Sequence, residues 1–446
     1  FNSISSTQLH NLFEYAHFGY YNGIEVIGLK RVYLCIDLKT FFASVECVER
    51  NLDPFKVNLA VADKERGKGA LCLAISPKLK ALGIKNRCRL FEIPSYLDLI
   101  IAKPRMKLYM QYAANIYEIY LKYVCDDDIH VYSIDEVFLD ISTYFKLYRK
   151  TPLQMARMII DDIFETTGIT ATAGIGSNLY LSKVALDISA KHNPSNIGIL
   201  NEPLYKQTLW HHQPITDFWH VGRGIAKRLA KYQIFDMAGV AFCDEKILYQ
   251  EFGVNAKYLI DHAWGKEPTT IAQIKKYQPE NNSISHSQVL FEDYSYEDAL
   301  LAMKEMVELK VLDLVEQHLV TRHIALYVGY SNKKIKATGG SLKIGVCTNS
   351  YRILLSEFIT LYKRTTHLNC PIRRLGISFG GVIDEKYEAY DLFTDYQEIE
   401  KERKLQEALI NIKGRYGKNA VFKGMDLLEK ATTLKRNKLI GGHNGE

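Results

Sequence analysis

Two adjacent carboxylates inside a strand-like run constrain this chain more than any other stretch. In His130-Val131-Tyr132-Ser133-Ile134-Asp135-Glu136-Val137-Phe138-Leu139-Asp140, polar and apolar residues otherwise alternate like a buried strand. Neighbouring side chains of a regular strand point to opposite faces, so Asp135 and Glu136 can share one ligand only where the chain turns. A hairpin is therefore expected, with 130–133 and 137–141 as its arms. Two acids at its tip repel each other, and a divalent cation relieves the repulsion. Hard oxygen donors of this kind suit magnesium, which keeps several waters and bridges to substrate phosphates. Taken alone, the dipeptide also reads as an ordinary solvent-exposed turn, so the rest of the chain has to decide.

A third acid lies upstream. The apolar run Val32-Tyr33-Leu34-Cys35-Ile36 reads as a buried strand that ends on Asp37, and a helical pattern follows with Phe42, Val45 and Glu46 at helix spacing. An acid at the end of a central strand can face the hairpin. Asp37, Asp135 and Glu136 are together what two cations need, one carboxylate bridging and the others orienting. In such sites the ions sit ~3.5–4 Å apart and stabilise the attacking and leaving oxygens of a phosphoryl displacement. Read alone, Asp37 also suits the cap of the following helix.

The run Asp37-Leu38-Lys39-Thr40-Phe41-Phe42-Ala43-Ser44-Val45-Glu46, followed about a hundred residues later by Tyr132-Ser133-Ile134-Asp135-Glu136-Val137-Phe138-Leu139-Asp140, resembles the Y-family (translesion) DNA polymerases. Within them it is similar to the UmuC-like branch of Gram-positive bacteria, over about residues 30–446. The resemblance implies an α+β right-hand polymerase with palm, fingers, a helical, helix-hairpin-helix-like thumb, and a little-finger domain. It implies two magnesium ions held by Asp37, Asp135, Glu136 and the backbone carbonyl of Leu38. It also places the Phe41-Phe42 pair at the nucleotide, with Phe42 as the sugar-selecting ring; a core position describes Phe41 better. The physics of such a ring is independent of the resemblance. A flat side chain packed against the nucleotide's 2′ carbon leaves no room for a hydroxyl and selects deoxyribonucleotides by exclusion.

The expected organisation follows the chain: an extension (1–28), palm (29–54), fingers (55–103), palm again (104–193), thumb (194–267), a polar linker (268–282), little finger (283–385) and a tail (386–446). In the fingers, Ser76-Pro77 opens a short helix stopped by Gly83. Lys80 on it matches the family cation for the incoming triphosphate, and Ser76 is a candidate hydroxyl near it, since Pro77 stands where many relatives carry a triphosphate-binding Tyr. Ser177-Asn178 is expected to cap a helix bearing Lys183, Asp187 and Lys191; Lys183 matches a further triphosphate lysine and Lys191 reads as surface.

In the thumb, Trp219-His220-Val221-Gly222-Arg223-Gly224 is a glycine-rich turn opening a helix. Its exposed backbone N–H groups suit a DNA phosphate, although His220 stands where glycine is usual and an ordinary αα-turn fits as well. Beyond the linker the pattern is strand (284–291), helix (296–318), strand (322–330), strand (333–343), helix (350–365), strand (371–380), a β-α-β-β-α-β domain. From 321 to 380 it carries ten basic residues, among them Lys333, Lys336, Arg373 and Arg374, against the single acid Glu357. Such a surface suits a duplex backbone, and a solvated basic face is its alternative. In the tail, Leu392-Phe393 resembles a sliding-clamp peptide whose usual Gln is replaced by Ala389; packing of the pair on its own domain is the alternative. A helix is expected over 396–413.

Composition narrows the class. The 446 residues are 47% hydrophobic and 24% charged, with a formal charge of +6, which is ordinary globular material for about three domains. Eight cysteines without a C-x-x-C pair suggest neither a zinc site nor a disulfide framework, and free thiols fit a reducing cytoplasm. No membrane span and no signal peptide are expected. The reading is a template-dependent, low-fidelity DNA polymerase acting on primer–template DNA and deoxynucleoside triphosphates. Its rivals are a palm-fold nucleotidyl cyclase or phosphodiesterase, which three acids alone would also serve, and a DNA-bound accessory protein without extension activity.

Overall fold

The computed structural model describes residues 31–445 except 68, 281, 333 and 393. The expected extension 1–28, Lys333 and Phe393 lie outside the described residues. The described residues divide into two compact units, 31–103 with 108–277, and 104–107 with 278–445.

The first unit is built on a five-stranded sheet. Strand β1 (Tyr33–Leu38) is buried over its first four residues and leads into helix α1 (Phe41–Val48) through Thr40, whose φ of 48° turns the chain sharply. A small sheet follows, with β2 (Leu59–Val61) between β3 (Ala74–Ile75) and the later β4 (Ile100–Ala102). Between β3 and β4 lies α2 (Pro77–Ala81), with proline at its first position and Ser76 as N-cap. Helix α3 (Met106–Leu121) then leads to β5 (Ile129–Val131) and β6 (Glu136–Asp140). These form the expected hairpin, but the turn spans 132–135, so Glu136 opens the returning strand while Asp135 stays in the turn.

Helix α4 (Pro152–Thr167) is fixed at both ends by a Thr151–Gln154 capping box and by Gly168 at φ 70°. Strand β7 (Ala171–Gly176), helix α5 (Leu179–Val184), capped by Asn178, and β8 (Ile197–Leu200) complete the sheet, in the order β5-β6-β1-β7-β8. The helix expected to run on from α5 instead winds as a π-helix over Ala185–Ser189. Short helices then enclose a separate apolar core: α6 (Glu202–Thr208), α7 (Arg223–Leu229), α8 (Met237–Phe242), α9 (Glu245–Phe252) and α10 (Ala256–Ala263). The expected linker contains α11 (Ile271–Lys276), because Thr270 and Gln273 form a capping box and Ile271 is buried against the central sheet's cluster.

The second unit has the expected β-α-β-β-α-β order: β9 (Ser283–Tyr294), α12 (Tyr296–Glu316), β10 (Leu319–Tyr330), β11 (Thr338–Thr348), α13 (Tyr351–Thr365) and β12 (Ile372–Gly380). The third strand begins later than expected, since 331–337 form the loop. The sheet order is β11-β10-β12-β9. Ile324, Leu326 and Val328 alternate inward onto the two helices, leaving the other sheet face to solvent. Helix α14 (Tyr396–Tyr416) extends three residues beyond the expected end, and the chain then folds back over α12. There the buried Glu305 carboxylate accepts hydrogen bonds from the Thr432 N–H and hydroxyl and from the Thr433 N–H.

Candidate active site

The site grows from the register of the central sheet. Asp37, near the end of β1, lies directly across from Glu136 on β6 and from Thr172 on β7. The Leu38 N–H donates to the Asp135 carbonyl at 2.9 Å, which ties the hairpin turn to the end of β1. Ser133 Oγ donates to Asp135 Oδ1 at 2.6 Å and orients that side chain. The three acids expected to act together are thus neighbours: two opposed on adjacent strands, and the third in the hairpin turn that leads into Glu136.

Two lysines balance them. Lys183 Nζ sits 2.9 Å from Glu136 Oε1 and 2.8 Å from Asp187 Oδ2. Lys191 Nζ sits 3.1 Å from Asp37 Oδ2 and 2.7 Å from Asp187 Oδ1. Asp187, in the π-helical segment, therefore links both ammonium groups to both strand acids. Burial raises the pKa of Asp37 and of Glu136, against the pull of these lysines. The nearby Asp135 charge adds to the rise at Asp37, and Asp37 adds to that at Glu136. Burial opposes the charge of Lys183, but Asp187, Cys35 and Glu136 outweigh it and hold its pKa above the ordinary value.

Among the described residues, no cluster of three or more His, Cys, Asp or Glu side chains is arranged to hold a metal ion. The donor set nevertheless fits a hard divalent cation in kind. It consists of carboxylate oxygens, partly withdrawn from water, in a place that already holds two positive charges.

Lys80 projects from the exposed side of α2 and makes no ion pair among the described residues. Its pKa is lowered by burial and by the neighbouring Lys191 and Lys39, while Asp37 and Asp135 oppose the shift. It therefore belongs to the same electrostatic neighbourhood. Three expectations need correction here. Ser76 is wholly buried, its hydroxyl donating to the Val57 carbonyl at 2.7 Å and capping α2, so it presents nothing to a nucleotide. Lys191 is not merely a surface lysine, because it reaches Asp37. Phe41 is 2% exposed and part of the core, so its ring offers no face to a nucleotide. Phe42 is half-buried, with its ring stacked on Tyr109.

Further from the acids, Gly222 caps α7 with Arg223 and Gly224 in its first turn, all three exposed. A Cβ at either glycine would meet nothing within 4 Å. His220 takes the left-handed conformation (φ 68°) that suits glycine, and its ring packs on Trp219 at 4.2 Å. Trp219 in turn packs on Tyr132 and Phe138 of the hairpin region, which fixes the turn to the sheet.

In the second unit, Arg374 stands on the open sheet face across from Gly329, unpaired among the described residues. Arg373 is held by Asp293 at 3.4 Å. Lys336 is exposed in the β10–β11 loop. Leu392 is fully exposed and does not pack on its domain, while Ala389 is pinned by backbone hydrogen bonds to Cys347.

Comparison with known proteins gives a consistent picture. Residues 36–187 match the impB/mucB/samB family, and residues 281–392 match that family's C-terminal domain. The chain is 30% identical over 418 residues to UvrX of Bacillus subtilis (strain 168), a protein named for UV-damage repair, covering 92% of this chain and 97% of that one. It is 27% identical over 431 residues to DNA polymerase IV 2 of the same organism, covering 93% and 99% respectively. In fold it resembles a solved Y-family DNA polymerase chimera of Dbh and Dpo4, with a TM-score of 0.61 and 20% identity, covering 79% of this chain and 99% of that one.

Proposed function

This chain belongs to the impB/mucB/samB (Y) family of DNA-directed DNA polymerases, and from that membership we propose that it extends primers past damaged template bases by two-metal nucleotidyl transfer. The observation that carries the reading is the opposition of Asp37 and Glu136 at adjoining strand ends, with Asp135 in the turn beside them. Asp37, Asp135, Glu136 and the Leu38 carbonyl would hold two magnesium ions. When bound, the ions supply Lewis acidity toward the primer 3′ oxygen and the departing pyrophosphate. The protein's own part is positioning and charge. Lys80, free of ion pairs among the described residues, meets the triphosphate. Lys183 and Lys191 neutralise Glu136 and Asp37, and with cations bound they would be available to the triphosphate. Phe42 excludes the 2′ hydroxyl of ribonucleotides.

In this reading the five-stranded sheet is the palm, residues 55–103 are the fingers, 194–267 the thumb, and 283–385 the little finger. Gly222, Arg223 and Gly224 contact a DNA phosphate; Arg374, Lys336, Lys333 and Arg373 follow the duplex backbone. Leu392 and Phe393 offer an apolar pair to the sliding clamp, and the full exposure of Leu392 supports that role.

Primer extension on a labelled template with magnesium tests the core of the proposal. The protein should extend the primer, and Asp135→Ala should abolish extension while DNA binding persists. Absence of extension by either protein, with DNA still bound, would favour the accessory-protein reading.

A further inference from the structure

Phe42 does not stand alone. It lies in the first turn of α1, Glu46 follows it four residues later on the same helical stripe, and Arg50 lies just past the helix end. Tyr109 of α3 crosses that stripe. Its ring stacks on Phe42 with centroids 4.6 Å apart and planes at 24°. Its hydroxyl donates to Glu46 Oε1 at 2.6 Å. Both Tyr109 and Glu46 are wholly buried, and the other Glu46 oxygen is taken by the Arg50 guanidinium. A ring stacked on one face cannot retreat in that direction. Here the backing ring is itself immobilised by a charge-assisted hydrogen bond to a buried carboxylate.

We propose that Tyr109 is a positioning residue for sugar selection: by backing Phe42 it fixes how far that ring projects toward the nucleotide's 2′ carbon. The inference rests on the reading of Phe42 as the sugar gate. Exclusion by a side chain works only while the side chain cannot yield. A gate free to slide back admits the hydroxyl with little loss of deoxynucleotide binding. A displacement on the order of 1 Å suffices to alter such positioning by large factors. Tyr109 is thus expected to act on the ratio of two substrates rather than on activity as such.

Single-nucleotide insertion measured with a deoxy- and a ribonucleoside triphosphate, as the ratio of kcat/KM values, tests this. Tyr109→Met keeps an apolar side chain in most of the space but removes the flat, anchored surface. It should relax discrimination against the ribonucleotide by about tenfold while deoxynucleotide kcat/KM changes less. Tyr109→Phe retains the stacked ring but loses its anchor to Glu46, and should relax the ratio by about two- to threefold, less than Tyr109→Met. Should Tyr109→Met fail to fold, Glu46→Gln, which weakens the hydroxyl's anchor but leaves every ring in place, should shift the ratio in the same direction by about two- to threefold. In a Phe42→Ala background the Tyr109→Met effect on the ratio should vanish, because the two residues then no longer act as a unit.

If Phe42→Ala relaxes selectivity but the Tyr109 and Glu46 variants leave the ratio unchanged, Tyr109 is a core residue only and the inference falls while the gate stands. If Phe42→Ala itself changes nothing, the gate reading falls and this inference with it. A Tyr109→Met effect that persists undiminished without Phe42 also overturns the inference.

Discussion

Lys183 and Lys191 flank the same Asp187, yet they stand in different surroundings, and the difference has a measurable consequence. The Lys183 side chain is 9% exposed and the Lys191 side chain 40%. Removing Lys183 leaves the largely buried Glu136 carboxylate with only the weak Cys35 thiol donor, at 3.2 Å, among the described residues. Breaking a buried pair on one side costs about 3–5 kcal/mol, whereas a half-exposed pair contributes at most about 1 kcal/mol. Urea unfolding without divalent cations should therefore show Lys183→Met losing about 3 kcal/mol and Lys191→Met about 1 kcal/mol or less. Equal losses for the two would show that Glu136 is not the more dependent carboxylate. Lys183 was legible in the sequence only through its motif, and the role of Lys191 was hidden. The i, i+4 spacing of 183, 187 and 191 was visible, but regular helical winding does not foresee the π-helix at 185–189, and that segment is what carries Asp187 between the two lysines.

At the scale of elements, the strand-to-helix unit β7–α5 carries this machinery, and its glycines explain how close the two parts come. A Cβ on Gly174 would lie 2.1 Å from the Ser182 carbonyl oxygen, and one on Gly176 2.1 Å from the Ser182 nitrogen. The Gly-x-Gly pattern is therefore a packing requirement, so that the helix bearing Lys183 rests directly on the sheet bearing Asp37. Gly174→Ala should separate them, destabilising the protein by about 3 kcal/mol or more or preventing its folding. Gly224→Ala, in the exposed first turn of α7, meets no neighbour. It should leave thermal stability unchanged or raise it by about 0.5–1 kcal/mol, while DNA affinity falls if a phosphate approaches that turn. Unchanged affinity would remove the turn from the DNA interface. Elements of this length were mostly legible, because periodicity and caps such as Ser76-Pro77 and Asn178 are local signals. Those misread depend on tertiary contact: α11 within an apparently polar linker is held by the burial of Ile271, and the Ser76 hydroxyl is taken up by the Val57 carbonyl and the Leu59 N–H.

Across the whole molecule, charge is nearly balanced, with 57 basic and 51 acidic residues, so any grip on DNA depends on where the cations are unpaired rather than on their number. The ten-to-one imbalance between 321 and 380 was visible in the sequence, but which cations are available was not, since pairing is decided by the sheet register. Arg374 faces solvent beside Gly329 without an acid partner among the described residues, whereas Arg373 is engaged by Asp293. A cation that neutralises one phosphate releases condensed counterions, and the slope of log affinity against log salt changes by about 0.9 for each such contact on a duplex. Salt titration of primer–template binding should therefore give a slope shallower by about 1 for Arg374→Ala, with affinity lost on all sequences alike. Arg373→Ala should change the slope by distinctly less, because part of its charge is already spent on Asp293. A larger effect at Arg373 would mean that the Asp293 pair opens on binding and that the two arginines exchange roles in the complex.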